Sequence, residues 1–518
     1  MQPDCHPYGG STTATTVPRA KLAVALGMFA LLAACASIAG CRPASPPPSV
    51  LLIVVDTLRA DHVGALYRPA AGEAYPGPAR GGAFPSPARG GAFDARRPSP
   101  TPSIDLWARR AARFRHATTP APFTMPAMAA LLSGVYPDRC GVAAHEPGTS
   151  FHSWPGTTMA EAARKAGLAT AAVVANPWLA RTTTGFDRGI DEFSRLYRPG
   201  QVAGTSVAAA VTDNAIRILE GIGDRRFLLW VHYFDPHMPY EPPAEFALAA
   251  GAAAAPSRVM SDFNTRGRDL RRLYLGDGYT PAEIEQARRL YEGEVRYADH
   301  EIGRLLEKLE SLGLEDGTLV IIASDHGESL GEHGLYFAHD YTLYEELTRV
   351  ALLVRGPGVA AGDRDDSVSL LDVAPTVCRL AGLVCPTDFD GRDLFNSPRI
   401  GRTLFAAATP LRTRGTPFDR LQVPGMAGRW TMALTGTRKF LRIPTAAGTV
   451  FETYDLSTDP DELANLAATE AGRCEALAAE LAAWSAAMDV ARPAVATQAR
   501  SRKQRHDTKT LRSLGYLQ

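Results

Sequence analysis

Five apolar runs of strand length recur along the chain: "VLLIVVD" (Val50–Asp56), "ATAAVVAN", "FLLWVHYFD", "TLVIIASD" and "RVALLVRGPG". A strand that is apolar at successive positions needs cover on both faces, as in a parallel sheet between helices. Amphipathic helical stretches separate the runs, notably "TMAEAARKAG" and Glu283 to Leu312. This alternation predicts an α/β fold, a doubly wound and mostly parallel central sheet. From about Gly401 it stops. "WTMALTGTRKFLRI" and "TVFETYDLSTDP" read as antiparallel strands, and Asp461 to Met488 as one Ala/Leu/Glu-rich helix. A main domain over 49–400 therefore carries a smaller C-terminal α+β subdomain over 401–490. Within the main domain, the near-duplicate "PARGGAF" marks 68–100 as a low-complexity insertion, to which no function is assigned.

The ends of the chain carry different signals. Arg19 and Lys21 precede an uncharged apolar run from Leu22 to Gly40, followed by the Pro-rich "CRPASPPPS". A basic n-region, an apolar h-region and small residues at the end describe an export signal over 1–41 with a tether over 42–48. "LAAC" (Leu32–Cys35) and "IAGC" (Ile38–Cys41) resemble the bacterial lipoprotein processing box, which implies attachment to the cell envelope through a lipid on Cys41 or Cys35. Cys140, Cys378, Cys385 and Cys474 would remain in the mature chain; Cys378 and Cys385 either pair across "CRLAGLVC" or stay as buried thiols. The tail over 491–518 is basic, but 55 Lys and Arg balance 55 Asp and Glu overall, which gives no ground for a nucleic-acid partner.

Three of the apolar runs lead into an acid: Asp56, Asp235 and Asp325. Ligands of parallel α/β sheets bind beyond the carboxyl ends of the strands, so these acids are expected to converge. "SDHGESLGEHG" sets His326 beside Asp325, a carboxylate and an imidazole together, which suits Mn, Zn or Fe. "HYFDPHMPY" adds His232 and His237, and "YFAHDYTLYEE" adds His339. In "APFTMPAMAALLSG", Thr124 stands at a helix start, Pro126 in its first turn and Gly134 at its end. There the Thr124 hydroxyl serves either as an N-cap or in attack on an anion.

In order and wording these segments resemble the sulfatase branch of the alkaline phosphatase superfamily. The resemblance runs from about Ser49 to Leu466 through "LLIVVDTLRADHVG", "TPSIDLWARRAARFRHATTPAPFTMPAMAALLSGVYPDRCGV", "VHYFDPHMPYEPP", "ASDHGESLGEHGLYFAHDYTLYEELTRVALLVRGPGV" and "ETYDLSTDPDELANL". It implies a metal-bound nucleophile at a helix N-terminus and hydrolysis of sulfate or phosphate esters. The departures are chemical. The family's C/S-x-P-S-R signature is here Thr124-Met125-Pro126-Ala127-Met128, so the convertible residue and the Arg are both absent. The acid pair after the first strand is Asp56-Thr57. Asn176 in "VANPWL" and Tyr341 stand where cations are common.

What the resemblance implies for this chain is a metal-dependent ester hydrolase holding one divalent ion (Mn, Zn or Ca). Asp56, Asp325 and His326 would be its ligands, with Thr124 both fourth ligand and nucleophile. His237 and His339 would bind the oxyanion or protonate the leaving group. A second metal on Asp235, His237 and His339 is the lesser expectation. Arg59 reads as a structural ion pair, and His62, His145 and His333 as loop histidines. Thr cannot become an aldehyde, and a sulfated Thr lacks the elimination route open to a formylglycine hydrate, so phosphate or phosphonate esters are expected ahead of sulfate. The expected partner is a small-molecule, glycan or lipid ester. The competing readings are an envelope phospho-group transferase and a binding protein that kept only the fold.

Overall fold

The computed structural model describes residues 46–67, 98–143, 149–196, 207–264, 270–386, 388–396, 401–409, 428–445 and 447–491. The segment expected to be an export signal, most of the insertion at 68–100, His145 and the basic tail from 492 lie outside the described residues. A nine-stranded sheet organises the main domain. Its strands are β1 (Ser49–Val55), β2 (Ala112–Thr118), β3 (Ala169–Val174), β4 (Glu192–Arg195), β5 (Phe227–Tyr233), β6 (Thr318–Ser324), β9 (Arg349–Val350), β10 (Leu352–Arg355) and β11 (Gly362–Ser369). The order is β11-β2-β10-β6-β1-β5-β3-β4, with β9 paired to β2. A two-stranded hairpin, β7 (Ser329–Leu330) and β8 (Tyr336–Ala338), lies outside this sheet.

The central strands are apolar throughout because both faces are covered. Leu51, Ile53 and Val55 of β1 join one core cluster and Val50, Leu52 and Val54 the other. Helices α1 (Pro102–Ala108), α4 (Ala208–Ile222) and α5 (Pro281–Ser311) pack against the first face; α2 (Thr124–Ser133), α3 (Met159–Lys165) and α6 (Val373–Leu380) pack against the second. The doubly wound, mostly parallel sheet is thus observed. β1 pairs in parallel with β5 and β6, which brings their carboxyl ends together.

The differences from the sequence reading have local causes. "RVALLVRGPG" splits into β9 and β10, and β10 runs antiparallel to β6 and β2. The strands β2, β4 and β11 were not expected, because "ARFRHAT", "EFSR" and "GDRDDSVS" lack apolar runs. β4 and β11 are the sheet edges, where polar side chains face solvent and discourage further pairing. The C-terminal subdomain is a four-stranded antiparallel sheet, β12 (Thr403–Ala408), β13 (Trp430–Thr435), β14 (Arg438–Thr445) and β15 (Gly448–Asp455), backed by α7 (Ala471–Ala491). That helix starts ten residues later than Asp461. In the preceding stretch the Asp459 carboxylate accepts from the backbone of Leu463 and Ala464, and Leu466 donates to Thr453 of β15, so the chain turns along the sheet edge. Cys378 and Cys385 form a disulfide; Cys140 and Cys474 are free thiols.

Candidate active site

Asp56 and Asp325 follow the carboxyl ends of two paired central strands, and both are fully buried. After Asp56 the chain turns through Thr57 at φ 55°, a left-handed conformation that a β-branched residue rarely adopts. Two contacts hold the turn. Thr57 N donates to Asp325 Oδ1 (3.2 Å), and Tyr291 of α5 donates its hydroxyl to Thr57 O (2.8 Å) while accepting from Arg59 N (3.0 Å). After Asp325 a glycine is required, since a Cβ on Gly327 would stand 1.9 Å from Glu346 O. His326 Nδ1 donates to Gly327 O (2.9 Å), which fixes the tautomer and makes Nε2 the acceptor nitrogen.

His326 Nε2 faces Asp56 Oδ1 at 3.7 Å and Asp325 Oδ2 at 3.6 Å, too long for hydrogen bonds among themselves. One donor atom from each of the three lies within 4.8 Å of the others. Asp56 Oδ1 and Asp325 Oδ2 are buried and hydrogen-bonded to nothing. Burial, and then the neighbouring Asp325, push the Asp56 carboxyl well above its usual range; burial raises Asp325 to about 7. Two buried acids with an imidazole and orphaned oxygens are unstable as anions unless a cation compensates them. The donor set therefore fits a divalent metal.

Thr124 supplies the hydroxyl, in a manner that differs from expectation. It is not the cap of α2 but its first helical residue; Phe123, in extended backbone, occupies the cap position without a side-chain bond. The fully buried hydroxyl is therefore available to the site, 3.4 Å from His326 Nε2 and 3.4 Å from Asn176 Nδ2. Asn176 donates to Asp56 Oδ2 (2.6 Å), and its Oδ1 accepts from Trp178 N (2.8 Å), which orients the amide. The neutral amide thus spans Thr124 and Asp56, a role the sequence reading did not give it.

His339 follows β8, its ring centroid 4.7 Å from that of His326 and 5.0 Å from that of His237. Its Nδ1 pairs with Glu328 Oε1 (3.1 Å) and its Nε2 lies 3.9 Å from Asp340 Oδ1. Burial lowers the imidazole pKa, but Asp340 and Glu328 outweigh it and bring it to about 10. His237 Nδ1 donates to Met238 O (2.7 Å), and its ring stacks on Phe234. Glu328 and Asp340 were missed because no spacing rule joins them to a histidine across a hairpin.

Other candidates leave the site. Asp235 does not join the buried acids; its carboxylate accepts from Val207 N (3.1 Å). His232 is a core residue of β5, edge-on to Trp230, with burial holding it neutral by lowering its pKa to about 3. Arg59 is buried in ion pairs with Asp61 (2.6 Å) and Glu332 (2.7 Å), His62 bonds Asp61, and Tyr341 is buried.

Comparison with known proteins fits this geometry. A family profile described as Sulfatase matches residues 48–383. Arylsulfatase K of Bos taurus is 32% identical over 193 residues, which are 37% of this chain and 35% of that protein. Choline-sulfatase of Rhizobium meliloti (strain 1021) is 27% identical over 327 residues, 54% of this chain and 63% of the relative. The chain thus matches between a third and two thirds of these relatives' lengths. Among solved structures, the phosphonate monoester hydrolase of Agrobacterium radiobacter superposes with a TM-score of 0.63 at 21% identity, covering 85% of this chain and 96% of that one. A protein solved with its substrate D-glucosamine-2-N,6-O-disulfate gives 0.63 at 19% identity, covering 87% and 100%.

Proposed function

Because the chain belongs to the sulfatase family, we propose that it hydrolyses phosphate or phosphonate esters, ahead of sulfate esters, with the Thr124 hydroxyl as nucleophile. The observation that carries this reading is Thr124 Oγ1 itself: buried, spared from capping, and 3.4 Å from both His326 Nε2 and Asn176 Nδ2. Asp56, Asp325 and His326 would hold one divalent ion, Mn, Zn or Ca, whose chemistry is to acidify a bound hydroxyl and offset the charge of an anionic ester.

The chain's own groups do the rest. Asn176 orients Thr124 Oγ1 while restraining Asp56. The N-terminus of α2 directs backbone N–H groups and its positive dipole end at the anion. Thr124 Oγ1, having lost its proton to solvent, forms a bond to phosphorus as the ester P–O bond breaks, and the departing oxygen takes the Nε2 proton of His339. Glu328, on Nδ1, holds that ring in place, and His237 closes the pocket beside it. Water then gives a proton to His339 Nε2 and attacks the same phosphorus, the Oγ1–P bond breaks, and Thr124 is restored as the alkoxide. A sulfated threonine has no second hydroxyl with which to expel sulfate, which supports the phosphorus preference. The reading includes export and lipid attachment at Cys41 or Cys35, supported by the apolar run Leu22–Gly40; mass spectrometry of the mature N-terminus tests it.

The deciding experiment pairs aryl phosphate, phosphonate and sulfate esters under defined metals. Phosphorus esters should turn over faster, Thr124→Ala should lose on the order of 10⁴-fold or more in kcat, and a quenched intermediate should carry phosphate on Thr124. Arylsulfatase activity without phosphoester cleavage would overturn the substrate preference. Undiminished turnover by Thr124→Ala would overturn the nucleophile.

A further inference from the structure

The segment "DPDELANL" lies in the C-terminal subdomain, outside the catalytic groups. We propose that its Glu462 is a positioning residue for the His339–Glu328 pair, a role that rests on the hydrolase reading above.

The β7–β8 hairpin connects the two regions. At its open end Glu328 precedes β7 and His339 follows β8; at its closed end lie Glu332 and His333. His333 adopts φ 51°, and Glu462, opposite it, φ 54°. Left-handed non-glycine residues are strained and persist only where their surroundings hold them. Here the surroundings are explicit. His333 Nε2 donates to Glu462 O (3.4 Å) and its Nδ1 to Glu346 Oε1 (3.3 Å), while its ring stacks on Tyr344 at 3.6 Å. Glu346 Oε1 also accepts from Ser329 Oγ (3.3 Å), the residue directly after Glu328. The Glu462 carboxylate accepts from Glu345 N (2.5 Å) and pairs with Lys439 of β14 (3.0 Å), which is itself fully buried.

A continuous set of contacts thus runs from the C-terminal sheet to the hairpin's catalytic end. Arg59 holds Glu332 at the hairpin tip from the other side. Both braces hold the hairpin in the setting that carries Glu328 to His339 Nδ1. Loosening the His333 brace should misplace the proton donor while leaving Thr124 and the metal ligands where they are.

The test uses full-length His333→Gln and Glu462→Gln variants, with Ser329→Ala as the mildest break, and melting curves for each. Turnover is compared on a nitrophenyl ester, whose leaving group needs no proton, and on an alkyl ester, whose leaving group does. The proposal expects kcat on the alkyl ester to fall on the order of tenfold to a hundredfold, with KM and nitrophenyl turnover changed less than about twofold. Adding His333→Gln to His339→Gln should cause no further loss. Equal losses on both esters, losses that track melting temperature alone, or additive losses in the double variant would overturn it. An inactive wild-type chain, by contrast, would refute the hydrolase reading itself.

Discussion

Asp325 Oδ1 accepts from His326 N and Thr57 N while Oδ2 is left without a hydrogen-bond partner, so one substitution separates metal binding from folding. Asp325→Asn would remove one of two mutually repelling buried acids, and with it a candidate metal ligand, while its amide Oδ1 still accepts from Thr57 N and His326 N. The expected outcome is loss of stoichiometric metal on elemental analysis, with the melting temperature of the metal-free protein unchanged or higher. Full metal occupancy in the variant would show that the ion is held elsewhere. His333 makes a different prediction. Burial lowers its pKa, but the Glu346 hydrogen bond and charge outweigh this and raise it to about 9. The folded value thus exceeds the unfolded value of about 6.5. The pair's contribution is fully present below pH ~6.5 and disappears as the pH rises through about 9. The stability difference between wild type and His333→Gln, read from denaturant curves, should shrink across that window by on the order of 2–3 kcal/mol. A difference independent of pH would mean that the charge on His333 contributes nothing.

Among elements, the turn after β1 is the one whose conformation the site depends on. Thr57 is held left-handed between Asp325 and the hydroxyl of Tyr291, which reaches in from the long helix α5. Tyr291→Phe keeps the ring contacts with His62 and Tyr240 but leaves Thr57 O and Arg59 N without their buried partner. Each lost partner is worth about 1–3 kcal/mol. The variant should unfold at lower denaturant and bind its metal more weakly, since the turn also places Asp56. Unaltered metal affinity in a destabilised variant would separate the turn's structural role from its part in the site.

At the scale of the molecule, the C-terminal sheet contributes a buried charge to the main domain. Lys439 is fully covered and pairs with Glu345 (2.9 Å) and Glu462 (3.0 Å). Lys439→Met keeps the stem's packing and strands both acids, a loss of about 3–5 kcal/mol. Neutralising an acid at the same time, in Lys439→Met with Glu462→Gln, should restore part of it. A double variant no more stable than Lys439→Met would show that packing of the lysine stem, and not its charge, is what matters.

That Asp56, Asp325, His326 and Thr124 come together was readable because each belongs to a local pattern, a strand end or a helix start, and because parallel strands bring their ends to one place. The apolar runs of β1, β3, β5 and β6 likewise determine a sheet covered on both faces, since burial leaves no alternative use for so many adjacent Val, Ile and Leu side chains. Polar edge strands such as β11 carry no such run; they form because a neighbouring strand offers unpaired backbone. Tertiary structure alone decided that Asn176 bridges Thr124 and Asp56, that Glu328 holds His339, that His232 is core, and that Asp235 stays apart from Asp56, Asp325 and His326. Periodicity reports only which way a side chain faces relative to its own element. Which groups meet across elements depends on packing distances that no local spacing encodes.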